Sequence, residues 1–172
     1  MNSVQLHLAL THVPVILSLV GLVMLIVAFV IKNTTLTRTS YIVLLVAGVA
    51  AIPVFLTGEG TEEAVENLPG VSDAVIERHE GVAKLAMISI AAAGLLALAG
   101  LFSFKRQVVS RVFKIGVLIL AISSGGLMVQ TAQLGGQIRH TEIRNGVAVQ
   151  NGTEVGGGND NNGTLQQEKD ED

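Results

Sequence analysis

The sequence predicts an all-α protein: a bundle of four transmembrane helices. Three observations carry that prediction. Hydrophobic residues make up 49% of the 172-residue chain and charged residues only 15%, where soluble domains carry roughly 25% charged residues. The apolar residues gather into four uncharged stretches, each near or above the roughly 17–25 residues that cross a hydrocarbon core. Within those stretches polar and apolar residues do not alternate, which excludes the strands of a membrane barrel. A helix also satisfies its own backbone groups in lipid.

The first helix is expected over about 4–31. It opens Leu6-His7-Leu8-Ala9-Leu10-Thr11-His12-Val13-Pro14 and then runs apolar to Ile31. It has no basic leader, and its apolar run is too long for a cleaved signal peptide, so it is expected to stay as a helix. The second is expected over about 40–58, with a kink at Pro53. In the connection that follows, Thr61 is placed as the N-cap of a short helix through Glu66. Leu68-Pro69-Gly70 ends that helix, and Ser72 with Asp73 begins the next as cap and first-turn acid. The third helix, about 72–104, should stand roughly two turns proud of the membrane, with Glu80 and Lys84 paired on its polar face. Its Gly94 and Gly100 do not match the close-packing spacing of membrane helices. The fourth, about 109–140, carries Ser123, Ser124, Gln130, Thr131, Gln133 and Gln137. These read as interhelical hydrogen-bonding groups, or alternatively as the lining of a quinone or small-solute pocket. The membrane domain thus covers 1–144. Residues 145–172 are rich in Gly, Asn, Gln, Asp and Glu, cannot bury enough apolar surface to offset ordering, and are expected to form a disordered acidic tail.

Charge fixes the expected orientation. The links between helices one and two and between three and four hold Lys32, Arg38, Lys105, Arg106, Arg111 and Lys114, and no acid. The 58–84 connection holds seven acidic residues against Arg78 and Lys84. Basic residues collect in short cytoplasmic loops. Both termini are therefore expected on the periplasmic side of a bacterial inner membrane.

Histidine is the residue type with chemistry to offer. The chain has no cysteine, which excludes disulfides, thiolate metal sites, iron–sulfur clusters and c-type haem attachment. Phosphate loops, HExxH and nucleophile-elbow motifs are missing, as is a basic patch suited to nucleic acid. No catalytic residue is assigned. All four histidines, His7, His12, His79 and His140, fall at the outer ends of their helices. His79 shares the apolar stripe of Val75, Val82, Ala83 and Ala86, so it should face the bundle. His140 follows Gly135 and Gly136, whose missing side chains leave room for a helix or a flat cofactor. Glu142 is placed to orient His140 or to pair with Arg139. His7 and His12 are five apart, which on one helix separates them by about 140° and about 7.5 Å along the axis. They should look toward two neighbours, so two bis-histidine sites are expected, tried as His12 with His79 and His7 with His140. Such sites suit haem b, which takes one imidazole on each face, better than zinc. Two alternatives stay open. One is a divalent metal, with the acidic cluster Glu59, Glu62, Glu63 and Glu66 as further ligands. The other is no cofactor, with the histidines bonded to water and lipid head groups.

These motifs carry a resemblance. His7-x4-His12-x-Pro14, Thr57-Gly58 closing helix two, His79 opening helix three, and Gly135-Gly136-Gln137-Ile138-Arg139-His140-Thr141-Glu142 closing helix four resemble a family of uncharacterised four-helix bacterial membrane proteins. The likeness covers about residues 5–143. Leu8 and Val13 stand where that family has a proline and an aromatic residue. The resemblance implies the fold and the same histidines, and no activity.

The expected function is that of a small haem b-binding electron-relay subunit, more a carrier than an enzyme. Its expected surroundings are the lipid bilayer and a membrane or periplasmic redox partner, with homo- or hetero-oligomers open. The competing classes are a cofactor-free structural or assembly subunit of a larger complex and a periplasmic-facing metal binder.

Overall fold

A computed structural model describes residues 2–104, 107–140 and 143–144. The tail and Glu142 lie outside the described residues. The elements run α1 (Ser3–Leu10), α2 (His12–Val30), α3 (Thr34–Leu56), α4 (Gly58–Val65), α5 (Asp73–Leu101) and α6 (Gln107–Arg139), with no strand among the described residues. Taken with their short flanking helices, they supply four spans of 28, 32, 29 and 32 residues that are long and apolar enough to cross a membrane. At about 1.5 Å per residue these rods are about 42–48 Å long, against a hydrocarbon core of about 30 Å. The ends therefore reach into the head-group layers. The chain is a four-helix integral membrane protein.

The first expected helix is one span, Ser3–Val30, interrupted only at Thr11, whose backbone stays right-handed α. Pro14 has no N–H to give to the carbonyl of Leu10, four residues back, and α1 ends at Leu10. The Thr11 hydroxyl donates instead to the carbonyl of His7, and the Thr11 amide donates to the same oxygen at 2.9 Å. The second helix starts at Thr34, earlier than expected. Asn33 caps it, its side chain accepting from the Leu36 amide at 2.9 Å. The polar run Thr34–Thr39 obscured this start. The threonine hydroxyls are served within the helix, Thr37 by the carbonyl of Asn33 and Thr39 by that of Thr35. Thr61 is not a cap: α4 begins at Gly58, and the Thr61 hydroxyl donates to the carbonyl of Thr57 at 2.9 Å. Ser72 does stand at the N-cap position of α5, but its side chain makes no capping hydrogen bond; Glu80 meets Lys84 at 2.7 Å.

The long helices form a closed ring: α2 packs on α3, α3 on α5, α5 on α6 and α6 on α2. Leu25, Tyr41, Leu44, Ile90 and Val117 fill its centre. The α3–α5 seam is tight because glycines and alanines line it. A Cβ on Gly48 would lie 3.2 Å from the carbonyl oxygen of Ile90, and one on Gly94 would lie 3.3 Å from Cα of Leu45. Gly100 is closer still, at 2.6 Å from Cε2 of the buried Tyr41 ring. Gly94 and Gly100 therefore make interhelical contacts, although their spacing gave no hint of it: each meets a different part of α3. Tyr41 also stacks beside Phe104, over which the Arg38 guanidinium sits at 4.6 Å. The outward faces carry large apolar side chains, among them Val30, Leu56, Leu95 and Ile119. In water each would forgo roughly 1.5–3 kcal/mol of burial; against lipid tails that cost vanishes.

Candidate functional site

The start of α1, the end of α3, the start of α5 and the end of α6 meet at one end of the bundle, and His7 and His79 lie there. α1 rests on α4, where glycine again allows the approach: a Cβ on Gly60 would come within 2.8 Å of the Ser3 hydroxyl. This placement carries His7 to the end of α3. Its Nδ1 lies 2.9 Å from the carbonyl oxygen of Val54 and 3.3 Å from the Thr57 hydroxyl. That hydroxyl donates in turn to the carbonyls of Pro53 and Val54.

His79 is half-buried, on the face of α5 toward α6. Its Nδ1 lies 3.1 Å from the carbonyl oxygen of Thr131. The ring fits because Gly135 has no side chain: a Cβ there would stand 3.2 Å from Cε1 and 3.5 Å from Nδ1 of His79. The space expected to admit a helix or a flat cofactor at Gly135 holds this imidazole.

A shared chemical state follows from these bonds. A carbonyl oxygen only accepts, so Nδ1 of each ring must carry the proton and donate. In the neutral imidazole Nε2 then keeps its lone pair. Histidines that ligate metals use this arrangement, with the second nitrogen tied to a carbonyl or carboxylate that fixes ring and tautomer.

The other two histidines stand apart. His12, the first residue of α2, is exposed, and so is His140, whose amide donates to the carbonyl of Gly136 at 3.0 Å. The spacing argument took 4–31 as one helix. Thr11 keeps a right-handed helical backbone, so His7 and His12 still face different directions; His7 turns to the end of α3 and His79 to α6. Among the described residues no three His, Asp or Glu side chains converge as a metal-binding group. The carboxylates of α4 therefore do not join a histidine in a three-ligand cluster.

The polar residues of α6 divide. The Thr131 hydroxyl donates to the carbonyl of Leu127 in its own helix at 2.8 Å. Ser124 is buried, and its hydroxyl has no hydrogen-bond partner among the described residues. Gln130, Gln133 and Gln137 line a groove with Ser72, Arg78 and Arg144. Sequence reasoning missed the two arginines. The spacing of three and four between the glutamines was the available sign.

Protein-family models, curated proteins and solved structures offer no match to this chain. The chemistry of the site is what bears on function.

Proposed function

We propose that the protein is a small electron-relay subunit of the bacterial inner membrane that binds haem b at its periplasmic end, with His7 and His79 as the residues that would hold it. The observation that carries this is the tethering of both Nδ1 atoms to backbone carbonyls of neighbouring helices. Each ring is thereby locked with Nε2 available as a ligand. A haem b bound there would supply reversible one-electron exchange at its iron. The chain's own part is to hold two imidazoles in fixed tautomers, close to the membrane surface and to a redox partner. Two ligands suffice for haem, whereas structural zinc takes four protein ligands and catalytic zinc three. His12 and His140, exposed at the same end, are the second candidate pair, with Glu142 in support. The resemblance to four-helix bacterial membrane proteins points to the same residues.

One observation favours a cofactor-free assembly subunit instead. The His79 ring fills the gap above Gly135 and pins α5 to α6, a structural role sufficient in itself. Absorption of the purified protein separates the two. The relay requires a Soret band at about 410–430 nm, as for haem b with two histidines, that is lost in His7→Ala and His79→Ala and kept in His12→Ala. A colourless protein after expression with ample haem would sink the relay and leave the assembly subunit.

A further inference from the structure

The groove between the start of α5 and the end of α6 is a second place where chemistry gathers. It encloses about 430 Å³, within the roughly 300–1,000 Å³ of small-ligand sites. Gln130, Gln133 and Gln137 present amides along one stripe of α6, with Ser72, just before α5, and Arg78 of α5 completing the lining. Arg144 closes the end. Its Nε donates to the carbonyl of Gln137 at 2.8 Å, and its Nη2 donates to those of Gly70 and Ile138 at 2.8 and 3.0 Å. The bonds to Gln137 and Ile138 serve carbonyls in the last turn of α6, the bond to Gly70 reaches the connection before α5, and together they lock the guanidinium in place. The described lining therefore holds two guanidinium groups, three amides and no carboxylate. Such a set selects an oxyanion: the Arg78 guanidinium can offer paired N–H donors, while Arg144, three of whose N–H groups already serve carbonyls, adds positive charge.

Depth identifies the source of that oxyanion. The fourth span, Val108–Arg139, has 32 residues, about 48 Å of helix against a core of about 30 Å. Shared between the ends, the surplus places about the last six residues, from Leu134 onward, at head-group level. Just below, Val129 is exposed to the lipid tails. We propose that this groove seats the phosphodiester head group of an anionic phospholipid, its acyl chains lying along the apolar face of α6.

Native mass spectrometry of the full chain, released from bilayers containing equal amounts of phosphatidylglycerol and phosphatidylcholine, tests this. The wild type is expected to retain phosphatidylglycerol preferentially. Arg78→Gln should lower that preference about fivefold, the equivalent of one basic residue at an anionic surface. Arg78 is exposed, so the variant should keep the helical circular dichroism of the wild type. Arg111→Gln, at the opposite end of the bundle, should lower the preference less. Equal retention of both lipids by the wild type would overturn the proposal, as would a larger loss in Arg111→Gln than in Arg78→Gln. Inorganic phosphate raising the Tm of lipid-free protein as much as phosphatidylglycerol does would assign the groove to a free anion and overturn the lipid seat.

Discussion

The His79 ring occupies the space that a side chain at Gly135 would fill, with Cε1 3.2 Å from where that Cβ would stand. A histidine from one helix and a glycine from another thus form one joint between α5 and α6. The Thr131 carbonyl fixes the ring's rotation from below.

Gly135→Ala should therefore destabilise the bundle. The methyl gains up to about 1 kcal/mol of helix propensity but overpacks the joint at a cost of about 1–3 kcal/mol. Gly126 is the control, since a Cβ there meets nothing within 4 Å, and Gly126→Ala should be neutral or stabilising. Thermal unfolding in one detergent compares them; equal Tm values for the two variants would count against the joint.

The seating of α1 on α4 is checked by cross-linking. Cβ of Ser3 lies 3.1 Å from the position of a Cβ on Gly60, close to the roughly 3.5–4.5 Å of disulfides. The chain has no cysteine of its own, so Ser3→Cys with Gly60→Cys gives an unambiguous product. Oxidation should close an intramolecular disulfide, seen as a mobility shift reversed by reductant. Failure to close would place α1, and with it His7, elsewhere.

Orientation is expected to follow the basic links. A cysteine replacing Ser72, at the histidine end, should react with a membrane-impermeant maleimide in intact spheroplasts. One replacing Ser103, at the basic end, should react only after permeabilisation. The reverse pattern would move the histidines to the cytoplasmic side.

The ion pair of Glu80 and Lys84, though only 2.7 Å long, joins two half-exposed side chains. Solvent screens such pairs, so Glu80→Gln should shift stability by no more than about 0.5 kcal/mol. A larger loss in denaturant titration would mean that Glu80 serves another partner.

Sequence alone determined the number of membrane-spanning segments, because hydropathy and helix length respond to the thickness of the bilayer and not to details of packing. It also identified Ser72 as the start of α5, the Glu80–Lys84 pair and the inward face of His79, all of which follow from spacing within one helix. It misjudged the start of α3, where threonines mask a capped helix, and did not register the interruption at Thr11 within the first span, where Pro14 cancels a bond four residues away. Tertiary structure decided which groups meet. Whether Gly135 receives a cofactor or a histidine, whether His79 neighbours His7, and whether Arg144 folds back onto the end of α6 depend on distances between helices. Those distances are set by small residues such as Gly48, Gly94 and Gly100, each of which acts through its partner on another helix, and no period along one strand of sequence records that partner.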